Sequence, residues 1–536
     1  MIPSVTRLLP FVGLAASLAA AQNIVDTGYA KYRGNQSFPD TVAYLGVPYA
    51  EPPVGDLRFR APLPLNTSRV TAESAGKIID LTENPEFCVQ GSTGAGDAGG
   101  AGSEDCLKLN IYAPAGAKKG DNLPVLVYIH GGGYVYGNPA NWPYDHWIHQ
   151  SPNVVIASVY YRLNSIGFLT APEMLTNPSL GDLNAGFKDQ SMALEWVSEH
   201  IDAFGGDPNK VTIDGQSAGA ASIELHLVAN EKPRFHGAIL QSIYRTPLPQ
   251  VEQQRDMFNY YSTQAGCGSG SVEKKMACLR SADISALSRA QDLVMYNFTG
   301  HYHSFHPVID KKLFIDYPTV SLEKGHLADV PVMAGSCANE TLSSGTNITA
   351  ALKFYFPALT QQDLEEFLPE YPLSDFNSAA QQFQVATGES DVICGRKIVG
   401  RAAAKKNKAF TYRYNQPVNG AAATTHSSEN WMMFLGTSTG FNGSTTFQPQ
   451  TDADRAFAAE LIAYWLSFVR AADPSAHKLA RSPAWPPYTA ASPMRIVLNE
   501  PADKSTTVSG VTTELEPELE GKRCAFVQTK ALHQQA

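Results

Sequence analysis

The sequence predicts a fold of the α/β class, and three observations carry that prediction. Short β-branched runs that read as buried strands recur along the chain. Between two of them lies a stretch with apolar residues at helical spacing. One run leads straight into Gly215-Gln216-Ser217-Ala218-Gly219 and then an apolar, helix-like segment, the strand–turn–helix context in which a serine is presented as a nucleophile.

The chain can build such a fold. Its 536 residues are 43% hydrophobic and 17% charged, with 24 Phe, 23 Tyr and 6 Trp, which suits a large core and excludes a disordered chain. Length alone would suggest several domains, although one large sheet can also organise a chain this long. No internal period points to a repeat array. The 51 acidic residues outnumber the 41 Lys and Arg for a net charge of −10. With no basic run, nucleic acid and anionic membrane surfaces are poor partners.

Taken from the N-terminus, the first element is a leader. Arg7 is followed by an apolar run from Leu8 to Leu18 and by Ala19-Ala20-Ala21 before Gln22, the pattern of a secretory signal peptide cut near Ala21. The run is too short to span about 30 Å of hydrocarbon. No later segment is long and apolar enough, and Lys530 to Ala536 is polar, so a soluble, secreted protein without a stable membrane anchor is expected.

Secretion fits sequons at Asn35, Asn66, Asn297, Asn339, Asn347 and Asn442. Among seven cysteines, Cys88 with Cys106 and Cys267 with Cys278 close short loops that an oxidising compartment could lock. Cys337, Cys394 and Cys524 are left with their pairing open. None has zinc or redox spacing, so no metal site is expected.

Pro124 to Ile129 reads as a buried strand ending in His130-Gly131-Gly132-Gly133-Tyr134. Glycines there leave backbone N–H groups free to meet an oxyanion, although a plain flexible turn has the same composition. Val154 to Tyr160 is the next strand. Asp189 to Phe204 follows with Met192, Ala193, Trp196, Val197 and Ile201 at helical spacing. Val211 to Ile213 then enters the Ser217 turn, where flanking glycines avoid collisions and the following helix directs N–H groups at developing charge.

A serine hydroxyl needs a base, and the base an acid to orient it. In this strand–turn–helix context the expected order is serine, acid, histidine. Glu340 lies just past the strand-like Val330 to Ala334, and His426 lies in a loop after the strand Ala409 to Tyr414. Thirteen histidines leave the assignment open on chemistry alone. The cluster His301, His303 and His306 lacks carboxylates at ligand spacing and reads as a polar loop.

Several further motifs carry a resemblance. Tyr44-Leu45-Gly46-Val47-Pro48-Tyr49-Ala50, Pro52 to Phe59, Glu104-Asp105-Cys106-Leu107-Lys108-Leu109-Asn110, and Asp189-Gln190 through Phe204-Gly205-Gly206-Asp207-Pro208 match the type-B carboxylesterase/lipase family in order and spacing. Ala463-Tyr464-Trp465, Ala472-Asp473-Pro474 and Trp485-Pro486 continue the match. The chain therefore resembles that family over nearly all of residues 22–536. The resemblance implies one α/β-hydrolase domain with a large mixed, mainly parallel central sheet and helices on both faces. It implies Ser217 as nucleophile, Glu340 as acid and His426 as base, with an oxyanion hole from Gly132, Gly133 and Ala218. A small-molecule ester is then the substrate, and no metal or organic cofactor is needed.

Departures from the family narrow the substrate. Gln216 stands where relatives commonly carry Glu. Val89-Gln90-Gly91-Ser92 lacks the Trp with which cholinesterases bind choline. The small residues from Gly91 to Gly102 resemble a trimmed version of the flap that fungal lipases of the family place over the site. Ile243 replaces a Gly, and Asn339-Glu340-Thr341 replaces Asp-Glu-Gly, putting a sequon beside a buried carboxylate where no glycan is expected. Soluble or moderately lipophilic esters are thus favoured. The alternatives are a lipase or sterol esterase, acyl transfer in a secondary-metabolite pathway and, with the triad intact, least of all a binding module. The oligomeric state is not readable.

Overall fold

Leu123–Ile129 (β6) shows how the molecule is layered. Val125, Val127 and Ile129 enter one core, and Leu126 and Tyr128 another, all fully buried. A strand apolar on both faces must be covered on both. In this computed structural model, which describes residues 23–92, 102–299, 304–440 and 443–536, helices do so. Ala185–His200 and Ala218–Val228 contribute Leu194, Trp196, Val197, Ile223 and Leu225 to the first core. The long helix Asp452–Ala471 brings Leu461, Ile462, Trp465 and Phe468 to the second.

The strands are β1 (Ile24–Asp26), β2 (Lys31–Phe38), β3 (Thr41–Pro48), β4 (Ile78–Leu81), β5 (Lys108–Pro114), β6, β7 (Val155–Val159), β8 (Gly206–Gln216), β9 (Gly237–Gln241), β10 (Val332–Cys337), β11 (Ala409–Tyr414), β12 (Thr437–Thr439), β13 (Thr445–Phe447), β14 (Met494–Leu498) and β15 (Thr512–Leu515). The main sheet runs β1-β2-β3-β5-β7-β6-β8-β9-β10-β11-β14-β15, with β4 beside β2. From β7 to β14 every neighbouring pair is parallel. β1, β2, β3 and β5 on one flank and β15 on the other join antiparallel. The mixed, mainly parallel sheet with helices on both faces is therefore present.

Most expected elements lie where their patterns put them, with shifted ends. β11 spans Ala409 to Tyr414 as read. β8 begins at Gly206 instead of Val211, because Gly206 pairs with Leu123 across an irregular register that composition does not reveal. The helix expected over Asp189 to Phe204 starts at Ala185, and its last turn, Ile201–Phe204, tightens before Gly205 at φ 88°. Cys88–Cys106 and Cys267–Cys278 are disulfides as expected. Cys394–Cys524 is a third, and Cys337 is a buried free thiol. The leader, most of the small-residue stretch after Gly91, His301, His303 and Asn442 fall outside the described residues.

Candidate active site

The order β7-β6-β8 reverses the direction in which the sheet grows, and clefts form at the carboxyl ends of parallel strands near such a point. The loops leaving β6, β8, β10 and β11 at that edge carry the glycine run, Ser217, Glu340 and His426.

Ser217 has φ 59° and ψ −122°, a conformation that a side chain adopts only when its surroundings enforce it. The flanking glycines explain how. A Cβ on Gly215 would lie 2.5 Å from the backbone of Gly219, and one on Gly219 would lie 2.0 Å from the Ile129 carbonyl oxygen. Strand and helix can cross this closely only without those side chains. Ser217 N–H donates to the Gln241 carbonyl at 2.9 Å, which ties the turn to β9.

The structure brings Ser217, His426 and Glu340 together from separate loops. Ser217 Oγ donates to His426 Nε2 at 2.8 Å, and His426 Nδ1 donates to Glu340 Oε2 at 2.5 Å. Burial disfavours the imidazolium, but the charge and hydrogen bond of Glu340 outweigh it and hold the His426 pKa above the ordinary histidine value. Gln216 Nε2 approaches His426 Nε2 at 3.5 Å without adding charge. By contrast His130, bonded to the Gly131 carbonyl and stacked on Tyr161, is pulled down to about 4 by burial and stays neutral.

Sequence reasoning missed the layer beneath. Ser242 Oγ donates to Glu340 Oε1 at 2.6 Å, and the Cys337 N–H reaches the same oxygen at 2.6 Å, so Glu340 is held from behind. A second carboxyl, Glu429, lies 3.1 Å from Ser242 Oγ and accepts the Cys337 thiol at 2.9 Å. Burial and then the Glu340 charge raise Glu429 above its ordinary value. Burial, reinforced by both carboxylates, pushes the Cys337 thiol well up and keeps it protonated. The available signal was positional: Ser242 lies just past β9, and Glu429 three residues after His426.

These groups open into a cleft of about 750 Å³ including its mouth, lined on one side by Gly131, Gly132 and Gly133. Gly132 has φ 108°, and a Cβ there would lie 2.1 Å from the Tyr136 carbonyl oxygen, so the loop needs glycine to curl under the cleft. Tyr136, Trp142 and Tyr244 form aromatic walls; Gln216, Ser427, Asn430, Ser438 and Thr439 form polar ones, and among the described residues Leu342 is the one aliphatic side chain. Tyr134 is fully buried. His306 is buried against the Pro307 carbonyl, away from the cleft lining. Among the described residues no cluster of three His, Cys, Asp or Glu is disposed to hold a metal.

A hydroxyl bonded to an imidazole that a carboxylate orients, beside a loop of backbone N–H donors, can attack a carbonyl and stabilise the tetrahedral anion. Comparison with known proteins agrees. The sequence profile described as "Carboxylesterase family" matches residues 21–526. Acetylcholinesterase of Bungarus fasciatus is 28% identical, covering 98% of this chain and 88% of that one. Lipase 5 of Diutina rugosa is 34% identical over 68% of this chain and 72% of its own. Among solved structures, Aspergillus niger EstA superposes with a TM-score of 0.82 at 28% identity, covering 96% of this chain and 99% of that one.

Proposed function

The chain belongs to the carboxylesterase family, whose α/β-hydrolase fold and serine-hydrolase chemistry make it a carboxylic ester hydrolase, and on that premise we propose that Ser217, His426 and Glu340 are its catalytic triad. Ser217 Oγ attacks the ester carbonyl while His426 Nε2 takes its proton. Glu340 holds the imidazole in the required tautomer and balances its charge. The N–H groups of Gly132, Gly133 and Ala218 receive the oxyanion. Protonated His426 releases the alcohol, and water repeats the sequence on the acyl-enzyme. The observation that carries this reading is the continuous Ser217–His426–Glu340 hydrogen-bond chain, at 2.8 and 2.5 Å, opening into the cleft.

The preferred substrate in this reading is a soluble or moderately lipophilic ester. The described lining, one aliphatic residue among aromatic and polar walls, offers a long acyl chain little aliphatic surface to exchange for water. The protein is proposed to be secreted after cleavage near Ala21. Glycans are proposed at Asn35, Asn66, Asn297 and Asn347, all exposed, and at Asn442. Asn339 is half-buried beside Glu340 and stays bare in this reading. Among the described residues no helix is long and apolar enough to cross a membrane. Initial rates on p-nitrophenyl esters from acetate to palmitate, with emulsified triglyceride alongside, test the substrate reading. Rates should be highest for short chains and gain nothing from the emulsion; a jump on the emulsion identifies a lipase instead.

A further inference from the structure

One wall of the cleft stands outside the cores. β12 and β13 form a two-stranded sheet apart from the main one. Thr437, Ser438 and Thr439 are half-buried, and Thr445, Thr446 and Phe447 are exposed, so these strands place no side chain in an apolar core. A lone two-stranded hairpin is marginally stable at best. Its place at the cleft, which Ser438 and Thr439 line, therefore depends on polar ties to its surroundings. At the base, the Thr437 N–H donates to the Phe434 carbonyl at 3.1 Å, and the Gln448 N–H to the Gly436 carbonyl at 2.9 Å.

Towards the tip the ties come from the single helical turn Pro139–Asn141. Asn141 is fully buried; its Nδ2 donates to Thr439 Oγ1 at 2.9 Å, and its Oδ1 accepts from Thr445 Oγ1 at 2.7 Å. Thr439 and Thr445 are cross-strand partners, so one amide clasps both strands of the hairpin. Asn138 Nδ2 adds a bond to the Gly443 carbonyl at 3.1 Å, and its Oδ1 caps the turn by accepting the Ala140 N–H at 3.0 Å. This turn follows the glycine run and leads into Trp142, another wall of the cleft. Trp142 is the residue after Asn141 and Thr439 is bonded to Asn141, so the clasp closes the seam between those two walls. Neither Asn141 nor Thr445 is among the described residues that line the cleft; they act on a substrate through the walls they hold.

We propose that Asn141 is a positioning residue that sets substrate size: by clasping Thr439 and Thr445 it keeps the cleft closed between Trp142 and the hairpin, and so excludes esters with a bulky group on the arm that meets this seam. The inference rests on the esterase reading and deepens it. Two matched pairs identify the arm: p-nitrophenyl trimethylacetate against p-nitrophenyl acetate for the acid, and 1-naphthyl acetate against phenyl acetate for the alcohol. In Asn141→Ala the bulky-to-compact ratio of kcat/KM should rise about tenfold over wild type in at least one pair, the order by which a close-fitting wall rejects added carbon, while p-nitrophenyl acetate turnover is kept. Thr445→Val removes one bond of the clasp and keeps the side-chain shape, so the same ratio should rise by less. The double variant should match Asn141→Ala alone, because both changes act on one clasp. Ratios unmoved in these variants, or compact and bulky esters slowed alike, overturn the proposal. Thr445 is exposed, so Thr445→Val decides the matter even where Asn141→Ala fails to fold. Absence of any Ser217-dependent turnover of p-nitrophenyl acetate by the wild type would instead overturn the esterase reading beneath it.

Discussion

His426 must be neutral to accept the Ser217 proton, so its elevated pKa fixes where activity begins. Burial pulls that pKa down and Glu340 pushes it further up. The acid limb of kcat/KM should therefore fall, as pH drops, through a pKa above that of an ordinary histidine. Glu340→Gln removes the raising charge and leaves the burial. The limb should then move to lower pH while kcat falls by about 10⁴-fold, as when the acid of such a triad is neutralised; pH–rate profiles of the two proteins check both parts. A limb that does not move would mean that Glu340 does not govern His426. Ser217 was legible in the sequence because strain confines a nucleophilic serine to one local pattern, glycines included. Glu340 and His426 were not, since they meet across a gap of 86 residues and no local spacing encodes that contact. Only the family resemblance distinguished them from other acids and histidines. Ser242 and Glu429 left only their positions as a trace, because a serine after a strand and a glutamate in a short helix are ordinary there.

Several of the motifs that carry the family resemblance hold clamps between elements and lie outside the chemistry. Asp189, on the helix Ala185–His200, binds Arg162 through two side-chain contacts at 2.6 and 2.8 Å and also accepts the Arg162 N–H, with both residues fully buried. Arg58 and Glu104 form a similar bidentate pair at 2.6 and 2.7 Å. Breaking a buried pair on one side strands the other charge, so Asp189→Ala should cost about 3–5 kcal/mol. Denaturant unfolding measures this, and a cost below about 1 kcal/mol would show that the pair is dispensable. Strands were legible where β-branched runs are buried on both faces, as in β6 and β7. The start of β8 was not, because Gly206 to Lys210 is turn-like in composition and joins the sheet only through β6. Cys394–Cys524 was equally unreadable: 130 residues separate the partners, and only the packing of the helices Cys394–Ala403 and Glu518–Thr529 unites them.

The main sheet draws strands from Ile24 to Leu515, so one hydrogen-bonded layer with cores on both faces ties together nearly the whole span of the described chain. We propose that residues 22–536 unfold as a single cooperative domain. Differential scanning calorimetry of the disulfide-bonded protein should give one transition with matching calorimetric and van't Hoff enthalpies; two resolved transitions would divide the chain. The α/β architecture was legible at this scale from alternating strand and helix patterns, whereas the antiparallel edge strands β1 and β15 were not, being short and partly exposed. The cleft also belongs to the whole molecule, since its walls come from the segments after the five parallel strands β6, β8, β9, β10 and β11 and from the β12–β13 hairpin. The most direct test of the account is to quench the protein in acid during turnover of p-nitrophenyl acetate and map the covalent adduct by peptide mass spectrometry. The account predicts one acetyl group on the peptide bearing Ser217, absent in Ser217→Ala together with turnover. An acetyl group on another residue, or turnover that survives Ser217→Ala, would contradict it.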